Sequence, residues 1–340
     1  MPIPTRTLGG VTVSAIGFGC TAVAGAYGAI ANEEKFKVFD AALEMGCTMW
    51  DTADRYGDSE VTIGEWFKYS GKRADIFLAT KVGTCIEDGK PAVNGKPEYI
   101  RAAIEKSLGR LQVDYVDLLY LHRADTRTPI ELSVGAMAEF VKDGKVKLLG
   151  LSEPSVNTLR RAHAVHPISA IQVEYSALTL DVEDPKIGVL AAARELGITV
   201  VAYSPLGRSL LTGRFRSPSD FGGAKDIRTM IPKFSAANFP HILKVADALA
   251  ALGTEKYAGA SSGQIALAWL LAQGTDIIPI PGTKSVKYLE QNAAAASSIE
   301  LAEEDVVAIR KLAEEARGQI RGERYPPGHS KELYCETPEL

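Results

Sequence analysis

Cysteine is scarce in this chain, and long apolar runs are absent from it. Four cysteines occur in 340 residues, with no Cys-x-x-Cys pair and none of the spacings of a zinc site. This favours four reduced thiols in a cytoplasmic protein. No apolar run approaches the roughly 20 residues that cross a bilayer, and no secretory signal pattern is visible. We therefore expect no disulfide framework, no metal site and no membrane association.

Charge of neither sign dominates the sequence. The 38 lysines and arginines against 42 aspartates and glutamates give a formal net charge of −4. A weak, mixed charge argues against a nucleic-acid backbone as a partner and against a polybasic membrane anchor. Since 46% of the residues are hydrophobic, a chain of this length can bury a large core. The composition indicates a globular protein of enzyme size, and it carries no information on oligomeric state.

Eight short apolar runs alternate with stretches of helical periodicity. Most runs are continuous rather than alternating, as expected for parallel strands buried on both faces. Eight such repeats predict an α/β protein with a closed (β/α)8 barrel, and an open doubly wound sheet is the alternative. The predicted strands are 14–19, 47–52, 75–80, 115–121, 145–152, 168–175, 197–204 and 276–280.

Three segments lie outside this alternation. Residues 5–13 suggest a hairpin around two glycines that plugs the bottom of the barrel. Residues 205–238 form a loop after strand seven that is too long for an ordinary connection, and we expect it to fold over a cofactor or substrate. Residues 318–340 lack periodicity and are predicted to wrap the surface or the barrel mouth. No linker is visible, so residues 1–340 are predicted to form one domain.

A glycine-rich motif at the first strand, Gly17-Phe18-Gly19-Cys-Thr-Ala22, imitates a dinucleotide-binding turn. A Rossmann fingerprint opens directly into a helix, whereas here several small or turn-forming residues intervene. We interpret the motif as a strand end where backbone approaches a ligand.

Four polar side chains follow three neighbouring predicted strands. Asp51 ends strand two and Tyr56 lies five residues later, while Lys81 and His122 end strands three and four. In a (β/α)8 barrel, catalytic groups lie at the C-terminal ends of the strands. The four side chains should therefore converge at the mouth.

Each residue type has a chemical reason to be there. A neighbouring ammonium favours the phenolate form of a tyrosine, so Lys81 would help Tyr56 to release a proton. A carboxylate such as Asp51 keeps a buried lysine protonated. The His122 imidazole can bind a carbonyl oxygen on which negative charge develops. The set suits addition of hydride to a carbonyl group.

Each residue also has an ordinary structural interpretation. Asp51 and Lys81 can form a structural ion pair, His122 can be a core histidine, and Tyr56 can be a loop aromatic. The functional interpretation rests on finding all four at consecutive strand ends.

These four residues resemble, in order and spacing, the Asp–Tyr–Lys–His tetrad of the aldo-keto reductases. The resemblance covers nearly the whole chain, from Gly17 to Asn292, and is closest to the perakine reductase and pyridoxal reductase-like branch. Residues 57–60 and 203–208 carry the likeness to that branch.

The resemblance implies an NADPH-dependent reductase of small aldehydes or ketones. Tyr56 would be the general acid, assisted by Lys81 and Asp51, and His122 would orient the carbonyl. Ser152 and Gln172 would hold the nicotinamide carboxamide, and Tyr203 would stack on the ring. Further cofactor contacts are implied for Ser204, Leu206, Arg208, Gly282, Thr283, Lys284, Gln291 and Asn292.

The sequence departs from the family pattern in two places. Glu153 stands where many members have asparagine, which removes an amide donor. The arginine that many members place near Tyr288 to bind a 2′-phosphate is missing, but Lys284 or Lys287 can supply that charge. NADPH is accordingly expected rather than NADH.

The substrate pocket is less well defined by the sequence. Tyr27, Trp50, Arg55 and Arg123 lie near the predicted mouth and are expected to line the pocket. Two other functions stay open: a cofactor-binding regulatory or sensor subunit with weak or vestigial reductase activity, and a phosphate-binding barrel isomerase or lyase.

Overall fold

The computed structural model describes residues 2–25, 30–223, 226–328 and 330–340. Strands β1 (Thr5–Leu8) and β2 (Val11–Ser14) form an antiparallel hairpin. A second hairpin follows the third strand of the main sheet and was not predicted; it consists of β6 (Thr84–Glu87) and β7 (Lys90–Val93). The main sheet contains eight parallel strands in chain order, β3 (Phe18–Gly19), β4 (Met49–Asp51), β5 (Phe77–Val82), β8 (Val116–Leu121), β9 (Val146–Ser152), β10 (Ile168–Glu174), β11 (Thr199–Tyr203) and β12 (Ile277–Pro279).

Helices alternate with these strands and cover the outside of the sheet. Their apolar residues pack on the strands in one large buried cluster. The helices are α1 (Asn32–Glu44), α2 (Ser59–Ser70), α3 (Pro97–Leu111), α4 (Ile130–Lys142), α5 (Val156–Val165), α6 (Val189–Glu195), α7 (Phe239–Lys256), α8 (Ser262–Leu271), α9 (Val286–Ser297) and α10 (Glu303–Gln319).

Backbone hydrogen bonds join the first and last strands of the sheet. The Gly17 N–H donates to the Pro279 carbonyl across 2.9 Å, and the Gly19 N–H donates to the Pro281 carbonyl across 3.2 Å. The sheet therefore curls round on itself, which confirms the predicted (β/α)8 barrel.

The barrel interior is filled by side chains that alternate along each strand. Met49 of β4 and Tyr120 of β8 belong to this inner cluster, whereas Trp50 belongs to the outer layer between strands and helices. Gly150 of β9 makes room for the Tyr120 ring, since a Cβ at this position would lie 2.5 Å from a ring carbon. The interior is a packed core rather than a pore.

The N-terminal hairpin closes the bottom of the barrel, as predicted. Leu8 and Val13 join the inner apolar cluster. The Ser14 hydroxyl accepts hydrogen bonds from the N–H groups of Thr48 and Met49, where β4 begins. This leaves the opposite end of the barrel for ligands.

The long loop and the C-terminal tail meet at the other end of the barrel. The loop carries four short 3-10 turns among its described residues, 205–223 and 226–238. Asn238 donates to the Arg321 carbonyl across 2.7 Å and accepts from the Arg321 N–H across 3.1 Å. Further on, the Tyr334 N–H donates to the carbonyl of Glu153, next to the end of β9. The tail thus crosses the barrel mouth.

Two findings bear on the expectations from composition. No helix in the described part of the chain is both long enough and apolar enough to cross a membrane. The described residues also contain no group of three or more His, Cys, Asp or Glu side chains that can hold a metal ion.

Candidate active site

A buried ion pair lies where β4 and β5 end. Lys81 is fully buried, and its Nζ lies 2.5 Å from Asp51 Oδ1 and 2.7 Å from the Thr52 carbonyl oxygen. Burial alone favours the neutral form of each partner and raises the pKa of Asp51. For Lys81 burial lowers the pKa, but Asp51 and Tyr56 together outweigh burial, so the pKa of Lys81 is also raised. The lysine therefore stays protonated beside the carboxylate.

Tyr56 and His122 lie beside this pair. Lys81 Nζ is 4.7 Å from the centre of the Tyr56 ring, and the rings of Tyr56 and His122 meet edge to face with centroids 5.8 Å apart. Burial and the positive charges of Arg123, Lys81 and Arg55 hold the pKa of His122 well below its usual range. The imidazole is therefore neutral at neutral pH.

The turn after β4 carries Tyr56 to this place. The Asp54 N–H donates to the Lys81 carbonyl across 3.0 Å, which ties the turn to the end of β5. Gly57 adopts a φ of +51°, a left-handed conformation that glycine accepts without strain. Asp54 itself is unusual: its Oδ1 is buried without a hydrogen-bond partner among the described residues, and burial raises its pKa to about 7.

Two buried polar side chains predicted to hold the cofactor lie at the ends of the next strands. Gln172 Nε2 donates to Asp51 Oδ2 across 2.7 Å, and the Ser152 hydroxyl donates to the Gln172 carbonyl across 3.1 Å. Arg123 donates in turn to the Ser152 hydroxyl across 2.8 Å. These residues therefore form one hydrogen-bonded chain with Asp51.

Tyr203 ends β11, and the backbone turns sharply after it. Ser204 and Arg208 both have left-handed φ values, +49° and +55°. Leu206 and Arg208 lie in this turn, and Arg208 reaches to 3.8 Å from Glu174. Ser204, Leu206 and Arg208, the three residues predicted to lie along the pyrophosphate, therefore share one turn at the mouth.

The segment after β12 brings polar groups to the start of α9. Gly282, Thr283 and Lys284 precede the helix, and Gln291 and Asn292 lie within it. Within the described residues, the first turn of α9 has no side-chain cap and no acidic residue. Its N–H groups and Lys284 make a donor set that suits an anion.

The four predicted substrate residues fare differently. Tyr27 lies outside the described residues. Trp50 does not reach the mouth: it is fully buried, its indole N–H donates to the Cys47 carbonyl, and its ring stacks on Phe39. This prediction is wrong because side chains alternate along a strand, so the neighbour of the inward-facing Asp51 points outward to the helices. Arg55 is exposed, and Arg123 is buried at the mouth beside His122.

The sequence reasoning missed two residues of the tail. Arg324 is buried and pairs with Glu153 and Glu174. Tyr325 brings its hydroxyl to 2.8 Å from the Tyr203 hydroxyl and 3.2 Å from Arg123 Nη2. The signal available was Glu153, an acid placed where a buried strand ends, which requires a cationic partner.

Comparisons with known proteins agree with this geometry. Residues 15–314 match the Aldo/keto reductase family. The chain is 57% identical to aldo-keto reductase str7 of Strobilurus tenacellus, over all of this chain and 99% of the relative. It is 46% identical to aldo-keto reductase yakc [NADP(+)] of Schizosaccharomyces pombe, again over all of this chain and 99% of the relative.

The fold is likewise similar to a solved structure. Glycerol dehydrogenase AKR11B4 from Gluconobacter oxydans superimposes with a TM-score of 0.80 at 26% identity, covering 99% of this chain and 98% of the other. The chain therefore belongs to the aldo/keto reductase family and is an NAD(P)H-dependent oxidoreductase.

Proposed function

We propose that this protein reduces small-molecule aldehydes or ketones to alcohols with NADPH, and that Tyr56 is the general acid. The observation that carries the proposal is the position of Lys81, which is paired with Asp51 at 2.5 Å and lies beside the ring of Tyr56. An ammonium in this position stabilises the phenolate that remains once Tyr56 has given up its proton.

The chain's own residues divide the chemistry among them. When bound, NADPH supplies the hydride that is added to the carbonyl carbon. Tyr56 donates its phenolic proton to the carbonyl oxygen, and Asp51 keeps Lys81 charged. Neutral His122 lies 3.5 Å from the Thr84 hydroxyl through Nδ1. A hydrogen bond donated by Thr84 leaves the ring proton on Nε2, which can then donate to the carbonyl oxygen.

The residues at the mouth fit a nicotinamide dinucleotide. Ser152 and Gln172 offer a hydroxyl and an amide for the carboxamide, and Tyr203 offers a flat face for the ring. Ser204, Leu206 and Arg208 would lie along the pyrophosphate, and Gln291 and Asn292 would contact the adenine. The donor set of Gly282, Thr283 and Lys284 at the uncapped start of α9 suits a phosphate.

The preference for NADPH rests on positive charge near α9. Lys284 and Lys287 are both exposed there and can bind a 2′-phosphate. The similar protein of Schizosaccharomyces pombe carries NADP(+) in its name.

Consumption of NADPH across a panel of carbonyl compounds tests the proposal. Wild type should show turnover, and Tyr56→Phe should lower kcat at least about a hundred-fold, the size expected for loss of a general acid. Tyr69→Phe is the matched control, since Tyr69 is a highly exposed tyrosine on α2. Turnover that survives in Tyr56→Phe refutes the role of Tyr56. Cofactor binding without any turnover favours the regulatory alternative.

A further inference from the structure

The hydroxyl of Tyr203 makes hydrogen bonds to three neighbouring side chains. It donates to Glu153 Oε1 across 2.8 Å and accepts from Arg324 Nη1 across 3.0 Å. The Tyr325 hydroxyl lies 2.8 Å away and contributes a third contact. A tyrosine held at its tip in this way has little freedom to tilt its ring.

Arg324 is the centre of this arrangement. Its guanidinium bonds both oxygens of Glu153, with Nη2 at 2.8 Å from Oε2 and Nη1 at 3.0 Å from Oε1. Nη1 also lies 3.2 Å from Glu174 Oε2, and Nε lies 3.2 Å from Asp181. Glu153 is fully buried and Glu174 almost so, and each requires a positive partner. The planar fork of an arginine can bond both oxygens of one carboxylate and still reach a second acceptor, a geometry that the single ammonium of a lysine does not reproduce.

We propose that Arg324 is a positioning residue for the cofactor. It acts through Glu153 and the Tyr203 hydroxyl, and it fixes the ring face on which the nicotinamide stacks. Glu153, which stands where many family members have asparagine, then acts together with Arg324 of the C-terminal tail. This inference rests on the proposed function, in which Tyr203 contacts the nicotinamide.

The tail does not depend on Arg324 alone for its attachment. Before Arg324, Asn238 bonds Arg321 in both directions, and the Lys233 N–H donates to the Glu323 carbonyl across 3.1 Å. After it, Arg161 donates to the Thr337 carbonyl across 2.9 Å. A substitution at Arg324 therefore tests the side chain rather than the presence of the tail.

The experiment measures the Kd of NADPH by calorimetry for Arg324→Met and for the matched control Arg161→Ala. Arg161 holds the same tail from α5, and its side chain bonds Glu131, Thr337 and Pro338 rather than Tyr203 or Glu153. We expect the Kd to rise at least about ten-fold in Arg324→Met and less than about two-fold in Arg161→Ala. Equal Kd values for wild type and Arg324→Met overturn the inference, and so do equal increases in the two variants.

A double-mutant cycle shows whether the effect passes through the Tyr203 hydroxyl. Tyr203→Phe keeps the ring and removes the hydroxyl, so the double variant with Arg324→Met should bind NADPH no more weakly than the worse single variant. Additive losses contradict the inference. If Arg324→Met does not fold, Arg324→Lys replaces it and should raise the Kd at least about three-fold; a Kd within about two-fold of wild type overturns the inference. A wild type that fails to bind NADPH would instead refute the proposed function.

Discussion

The amide of Gln172 donates to Oδ2 of Asp51 across 2.7 Å, while Oδ1 of the same carboxylate is bonded to Lys81. A side chain proposed to bind the cofactor is therefore joined directly to the carboxylate that keeps Lys81 charged. In the proposed function, cofactor binding and proton transfer would therefore share a buried hydrogen-bond network.

Replacing Gln172 with leucine should affect chemistry as well as binding. The hydrogen bond of Gln172 lowers the pKa of the buried Asp51, so its loss should raise that pKa further. The carboxylate would then stabilise the charged form of Lys81 less, and kcat should fall about ten-fold. The NADPH Kd should rise as well. Ser152→Ala removes a proposed carboxamide partner whose hydroxyl bonds Arg123 and the Gln172 carbonyl rather than Asp51, so it should raise the Kd with a smaller change in kcat. Single-turnover rates at saturating NADPH separate the two effects; an unchanged rate in Gln172→Leu would contradict the coupling.

Breaking the Asp51–Lys81 pair from one side should destabilise the fold. Lys81→Met leaves a buried carboxylate without a counter-charge, and the free energy of unfolding should fall by about 3–5 kcal/mol. The double variant Asp51→Asn/Lys81→Met removes both charges and should regain much of that stability. Denaturant unfolding measures both variants. Neither should regain activity, because Tyr56 lacks its ammonium in both; recovery of turnover in the double variant would show that Lys81 serves structure only.

Asp54 should give the folded protein a pH-dependent stability. Burial raises its pKa to about 7, above that of the unfolded chain, so its contribution to stability is present at low pH and is lost as the pH rises through about 7. Asp54→Asn mimics the protonated side chain at every pH. The Tm of this variant relative to wild type should therefore increase between pH 5 and pH 8. Asp114→Asn, at an exposed carboxylate, should show no such trend. If the Tm values of wild type and Asp54→Asn change in parallel between pH 5 and pH 8, the raised pKa of Asp54 is contradicted.

Lys284 should set the choice between the two nicotinamide cofactors. If it binds the 2′-phosphate, Lys284→Ala should raise the KM for NADPH about ten-fold and leave the KM for NADH nearly unchanged, since NADH lacks that phosphate. Lys287→Ala, one turn further along the same segment, tests the other candidate. Steady-state kinetics with both cofactors give the answer, and equal effects on NADPH and NADH would assign the charge to another residue.

Strand ends were predictable because buried parallel strands leave continuous apolar runs in the sequence. Lys81 and His122 follow from such runs directly, and the shared rim of a barrel then brings them together. The prediction for Trp50 was wrong because neighbours on a strand point in opposite directions, so proximity in sequence to Asp51 does not bring the Trp50 side chain to the mouth. The β6–β7 hairpin was not predictable in the same way, because Gly89 and Pro91 are as typical of an irregular loop as of a hairpin turn.

The positions of Arg324 and Tyr325 could not be predicted from the sequence for a different reason. The tail has no periodicity, and these two residues contact partners that are 122 to 202 positions away in the sequence. Glu153 indicated that a cationic partner exists, but the sequence offers many arginines and no local rule selects one of them.

The tail is under different sequence constraints from the strands of the barrel. The eight strands must keep their alternation of inward-facing and outward-facing side chains, whereas the segment after α10 belongs to none of the repeating units and crosses the barrel mouth from outside. Exchange of that segment between relatives would therefore change the side chains that cross the barrel mouth and leave unchanged the strands that carry Asp51 and Lys81.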